Sequence, residues 1–297
     1  MSALDGINIA ILLGALLAMA GILSSLVALR FGAPLLLIFI LVGMLAGESG
    51  PGGIHFEDVR TAFMVGSIAL ALILFDGGLR TRFATFQSVL APAGTLATLG
   101  VLVTSAIVAP AAVYLFHLDW VEGLLLGAAV ASTDAAAVFF LMHARGLRLR
   151  PRVAATIEVE SGTNDPFAVF LTVVLVEILL QGQKPAIEIA LVLVREAALG
   201  TVIGIVGGAA IVYVLNRVEL PQGLHAPFVA TGAIVTFGLC QSIHASGFLA
   251  VYLAGLIVGN RVARARTSII AFLDAATWLA QIAMFVLFGL LAWPTRL

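Results

Sequence analysis

Ten stretches of this chain are almost unbroken runs of apolar side chains, roughly 6–29, 34–47, 61–79, 88–116, 120–143, 152–181, 186–215, 225–243, 246–260 and 268–292. A soluble domain cannot hide that many such runs, because each surface element needs a polar side for water. A bilayer can. About 20 apolar residues in a helix match the ~30 Å hydrocarbon core, and a helix satisfies its own backbone there. The runs are continuous rather than alternating, so they read as helices and not as barrel strands. Of the 297 residues, 62% are hydrophobic and only 10% charged, too few charges to cover a water-facing surface. The expected fold class is all-α, a polytopic membrane protein of about ten transmembrane helices in a single domain, 1–297. Segments 34–47 and 246–260 are short for the core, so they are expected to be cut or entered irregularly.

The basic residues give the orientation. Loops after odd-numbered segments hold Arg30; Arg80 and Arg82; Arg145, Arg148, Arg150 and Arg152; Arg217; and Arg261, Arg264 and Arg266, eleven of the fifteen Lys and Arg. Even-numbered loops and the end of the chain hold Arg60, Lys184 and Arg296, and Arg195 falls in or near the seventh segment. Positive charge stays on the cytoplasmic side, so the N-terminus is expected outside, in the plasma membrane (a bacterial inner membrane). The opening "MSALDGINIA" lacks a basic region and cleavage site, so the first segment is expected to be retained. Trp120, Trp278 and Trp293 read as interfacial anchors.

Composition excludes several functions. A single cysteine, Cys240, rules out an internal disulfide framework, and five scattered histidines without an HExxH pattern argue against a zinc enzyme. A net charge of −1 gives no sign of nucleic-acid binding. No cofactor is expected.

Ionisable side chains inside a membrane cost ~2.5–3.5 kcal/mol each on insertion scales, so they ask for a purpose. Three places hold them. "LILFDGGLRTR" carries Asp76, which also reads as a water-facing residue at a helix end. "AAVASTDAAAVFF" places Thr133 and Asp134 near the middle of the fifth segment, where Asp134 also reads as a helix cap. "IEVESGTNDPFAVF" places Glu158, Glu160, Ser161, Asn164 and Asp165 in the sixth. Residues three, four and seven apart share a helix face, so Glu158, Ser161 and Asp165 line one side and Glu160 with Asn164 an adjacent one. Glu158 also reads as a snorkelling partner for the Arg148–Arg152 cluster, Glu177 as interfacial, and His244 as structural beside a turn.

Asp134 and Asp165 stand at similar depth on adjacent antiparallel segments and could face one cavity. Gly162 and Pro166 weaken the sixth segment around Asn164 and Asp165. "ASTD" reads as the start of a second half-helix, with Ser132 or Thr133 as its cap. Irregular backbone at that depth is tolerated where it lines a watery or protein-filled cavity, a recurrent way to bind small ions.

"STDAAAVF" followed one helix later by "EVESGTNDPFAVF" resembles the paired Thr-Asp and Asn-Asp motifs of the cation/proton antiporter superfamily, in its first, Asn-Asp, branch. With "LFDGGLRTR" and "SGFLAVYLAGLIVGNR", the chain is similar to potassium/proton antiporters of the cell volume regulation protein A type. The resemblance runs over essentially the whole chain. It implies an inverted-repeat fold of thirteen helices with a broken fifth helix, and a homodimer. It also implies a core bundle whose first half is 88–181, with 1–87 and 186–297 as scaffold and dimerisation helices. Asp165 is implied to be alternately protonated and bound to K+ or Na+, in electroneutral exchange. Asn164 would steady it, Ser161 and the Thr133 region would lend oxygens, and Asp134 would offset the dipoles of the broken helix. Glu160 holds the position that pairs with a buried arginine in a later Gly-Leu-Arg-Gly stretch. Nothing after Arg266 matches that stretch, and the usual cytoplasmic regulatory region is absent, so the chain reads as C-terminally truncated.

Three other functions fit parts of the pattern. A cation channel would use similar oxygens but would need a continuous pore. An intramembrane aspartyl protease would use two facing aspartates, but its Gly-x-Gly-Asp pattern is absent. The chain could also be an inactive scaffold piece.

Overall fold

In the computed structural model the described residues are 3–31, 34–133, 138, 142, 147–181, 186–221, 223–261 and 265–292. Their helices are α1 (Ala3–Phe31), α2 (Leu35–Ala46), α3 (Val59–Arg80), α4 (Phe83–Thr95), α5 (Val101–Phe116), α6 (Trp120–Ala131), α7 (Pro151–Gln181), α8 (Ala186–Arg217), α9 (His225–Ser242), α10 (Gly247–Arg261) and α11 (Arg266–Leu291). A single π turn, Leu96–Gly100, joins α4 to α5 into one continuous rod. Among the described residues the β pairing recorded is one isolated bridge, Gly47 to Ile54. The molecule is all-α. Six of its described helical spans are long and apolar enough to cross a bilayer.

Three segments depart from the sequence reading. The short segments were expected to be cut or entered irregularly; they are instead short, unbroken helices, α2 and α10. The sixth segment was expected to weaken at Gly162 and Pro166, yet α7 runs through both without interruption. Proline removes one backbone donor only, and α7 is gripped on either side of it. Val159 packs on Val89 and Ala93, while Ala168 packs on Val101 and Ala131.

The chain divides into two compact units. The first comprises Met1–Ile73 and Ile270–Leu297. In it Phe39 of α2 packs on Ile282 and Val286 of α11. The two backbones touch there: a Cβ on Gly43 would lie 2.1 Å from the Val286 carbonyl oxygen. Ile11, Leu12, Leu16, Leu23 and Leu26 of α1 are exposed, as lipid-facing side chains would be.

The second unit, Leu74–Ile269, holds every polar cluster singled out above. Its helices cross on small residues, the rule where apolar surfaces gain nothing by leaving lipid. Along α8, Gly200, Gly204 and Gly208 meet Ser246, just before α10, and Ala250 and Ala254 within it, one turn at a time. The hairpin of α5 and α6 turns at His117, in the left-handed region at φ 54°. A capping box of Asp119 and Glu122 then starts α6. Within the hairpin the Ser105 hydroxyl donates to the Leu124 carbonyl at 2.7 Å.

Between α7 and α10, a Cβ on Gly162 would come 2.7 Å from a ring carbon of Tyr252, a side chain only 2% exposed. The glycine is there to admit that ring rather than to break the helix. Gly162→Ala should therefore destabilise the protein by about 1–3 kcal/mol through overpacking. A double-mutant cycle with Tyr252→Ala, read by thermal unfolding in detergent, should show the two effects to be coupled; strict additivity would refute the contact.

Candidate functional site

Helix α6 stops at Ala131, and Ser132 follows in extended backbone at φ −69°, ψ 135°. Ser132 is thus the C-terminal cap position of α6, so the helix stops within "ASTD"; the residues that would open a second half-helix, 134–137, lie outside the described residues. The hydroxyls of Ser132 and Thr133 reach across to α7. Ser132 donates to Asp165 Oδ1. Thr133 Oγ1 donates to Glu160 Oε2 at 3.0 Å and accepts from Asn164 Nδ2 at 2.7 Å. Ser161 Oγ closes the junction from the other side, donating to the Thr133 carbonyl at 2.8 Å.

Within α7 the i,i+4 spacing brings Glu160 and Asn164 together, and the amide donates to Glu160 Oε1 at 2.9 Å. Asn164 is fully buried, and its Oδ1 has no hydrogen-bond donor among the described residues. A buried acceptor without a donor is uncommon and asks for a reason. Ser161 is buried and Asp165 partly so, while Thr133 is exposed. One turn of α7 and the end of α6 therefore share two carboxylates, three hydroxyls, an amide and a backbone carbonyl. Hard oxygens of this kind suit a hydrated alkali cation or a proton, and no soft ligand is among them.

The structure unites Ser161, Asn164, Asp165, Thr133 and Glu160. Asp134 lies outside the described residues. Glu158 is exposed on α7, and no hydrogen bond joins it to this group among the described residues. Asp76 does not face water: it is 7% exposed and holds Arg80 Nε at 2.8 Å, one turn along α3. Glu160 has no ion-pair partner among the described residues, and its recorded partners are Thr133 and Asn164.

Ser132 is the member that sequence reasoning missed. A serine beside a helix end reads as a cap, and only the crossing of α6 on α7 turns it toward Asp165. Asn164→Ala should leave buried acceptors unmatched and cost about 1–3 kcal/mol of stability. Asn164→Asp keeps the site's oxygens but adds a charge beside Glu160, and should cost more. Unfolding midpoints in detergent check the order.

The sequence pattern of the family described as "Sodium/hydrogen exchanger, transmembrane" matches residues 14–295. The chain is 47% identical over 295 residues to the K(+)/H(+) antiporter NhaP2 of a Shewanella species (strain MR-4), covering 99% of this chain and 51% of that protein. It is 42% identical to the K(+)/H(+) antiporter NhaP of Alkalimonas amylolytica, again over 99% of this chain and 51% of the relative. The chain spans about half the length of these relatives. Its fold is similar to that of the sodium proton antiporter MjNhaP1 from Methanocaldococcus jannaschii, with a TM-score of 0.81 and 26% identity, covering 97% of this chain and 72% of that one. Matched along nearly its entire length and with its polar residues gathered where two helices meet, the chain belongs to the sodium/hydrogen exchanger transmembrane family.

Proposed function

We propose that this chain carries an ion-binding site of a secondary transporter that exchanges a monovalent cation for a proton, with Asp165 taking one or the other in turn. The observation that carries the proposal is the join of α6 and α7: Asp165, tethered by the Ser132 hydroxyl, stands one residue from the buried Asn164 Oδ1, which has no donor among the described residues. A carboxylate in that setting is neutralised equally by a proton or by a cation, whereas the bare charge moves through apolar surroundings only at a cost of several kcal/mol. Mutually exclusive loading, with the empty form held back, is sufficient for exchange. Oxygen ligands accept both K+ and Na+, and relatives are named for each.

In this reading 88–181 is the first half of the moving core, and 1–87 with 186–297 form the scaffold. Alternating access moves α6 and α7 against that scaffold by rigid-body motion. Glu160, Thr133 and Asn164 form the brace that keeps the carboxylate oriented. The arginine distribution supports an N-terminus outside a plasma membrane, and a homodimer is the expected assembly.

The test is reconstitution into vesicles loaded with a pH-sensitive dye. A step in external K+ or Na+ should drive proton movement that saturates with cation concentration and leaves no net current. A non-saturating current would favour a channel.

A second reading is an inert scaffold piece. It is favoured by Glu160 lacking an ion-pair partner among the described residues. Cation binding without any proton movement in vesicles would select it.

A further inference from the structure

We propose that a groove between α8 and α10, at the end marked by Arg217 and Arg261, binds an anionic phospholipid, its phosphate between the two guanidiniums and an acyl chain along the apolar floor. The groove has a volume of about 440 Å³ and is floored by residues such as Ile205, Val212 and Ile257. A second hollow of about 480 Å³ shares Ile205, Ile257 and Arg261 with it and extends it toward Phe83 and Phe86 of α4. Together they form a trough of ligand size, apolar along its length and cationic at one end.

The arginines are placed by their helices. Arg217 is the last residue of α8 and Arg261 the last of α10, where the helix dipole favours a cation. The Arg217 guanidinium lies over the Tyr213 ring, 5.8 Å from its centroid. Neither arginine has an ion-pair partner among the described residues. Two guanidiniums beside an apolar trough at a membrane surface match a lipid phosphate and its chain. A soluble anion would match only the arginines, since the trough offers it nothing else.

Both arginines stand at helix ends expected to be cytoplasmic, beside the leaflet richer in anionic lipid. Lipid retention is read without transport, so its outcome is independent of the exchange reading. The experiment purifies the chain in mild detergent, adds phosphatidylglycerol or phosphatidylcholine, and counts retained lipid by mass spectrometry. Phosphatidylglycerol should be retained over phosphatidylcholine by roughly tenfold or more. The variant R217Q/R261Q should abolish the preference, and Ile257→Trp, which fills the floor, should reduce retention of both lipids. If R217Q/R261Q does not fold, the thermal midpoint of the unaltered chain decides: phosphatidylglycerol should raise it and phosphatidylcholine should not. Equal retention of the two lipids, displacement of phosphatidylglycerol by inorganic phosphate, or a groove that retains no lipid because protein covers it would each overturn the proposal.

Discussion

Asp165→Asn is expected to reduce cation-driven proton movement in vesicles to the level of protein-free vesicles, while leaving the protein folded. Asparagine keeps the shape and can still receive the Ser132 hydroxyl bond at its carbonyl oxygen. It cannot exchange a proton for a cation, because it carries no charge to neutralise. Asp165→Glu retains the acid but moves its oxygens by a methylene, so residual exchange with weakened cation affinity is the expected outcome. Transport retained by Asp165→Asn would move the carrier role to another acid, with Glu160 the nearest candidate in the same brace. Ser132→Ala, which removes only the tether, should lie between the unaltered chain and Asp165→Asn. Its loss should appear in the half-saturating cation concentration before the maximal rate.

The second large effect is structural and separates two adjacent glycines. A Cβ on Gly78 would lie 2.1 Å from the Tyr252 carbonyl oxygen, whereas one on Gly77 meets nothing within 4 Å. The same seam is closed from α10, where a Cβ on Gly255 would lie 2.1 Å from the Phe75 oxygen and one on Gly259 would lie 1.9 Å from the Leu79 oxygen. Backbone cannot move aside as a flexible side chain can. Gly78→Val should therefore cost about 3 kcal/mol, the upper part of the usual overpacking range. Gly77→Ala should be neutral or stabilise by about 0.5–1 kcal/mol, since alanine is the better helix former. Unfolding in detergent reads both. Equal effects at the two positions would mean that α3 and α10 are not in contact through this face.

Asn260 extends the seam to its end. Its amide donates to the Thr81 carbonyl at 2.9 Å, and its carbonyl accepts from the Phe83 backbone at 2.8 Å. One side chain thus fixes the turn between α3 and α4. This crossing also explains Asp76. A polar residue near a helix end reads as solvated when only its own helix is considered. Asp76 is buried in a stretch of α3 whose backbone meets α10, and Arg80, one turn on, matches its charge.

Contacts along one helix were readable from the sequence, and contacts between helices were readable only where both partners were chemically unusual. The pairing of Glu160 with Asn164 follows from 3.6 residues per turn and needs no tertiary knowledge. The segments themselves follow from hydropathy and from where the arginines stop. Ser132 was missed because its function depends on α6 ending at Ala131, a single residue before the cluster. Pro166 weakens α7 on paper, yet the helix continues through it. In a helix held by Val159 and Ala168, one missing donor does not outweigh the packing on both sides. The glycine ladders on α8 and α10 were in plain view at four-residue spacing. Small residues carry no charge or ring to mark them, so their role emerged only from the close approach of the backbones.

The central claim is that one carboxylate serves proton and cation by exclusion, and calorimetric titration of the purified chain with K+ or Na+ at a series of pH values tests it most directly. The account predicts one proton released per cation bound, an apparent affinity that weakens about tenfold per pH unit on the acid side, and loss of both features in Asp165→Asn. Cation binding that releases no proton and holds the same affinity across pH, or that persists unchanged in Asp165→Asn, would contradict it.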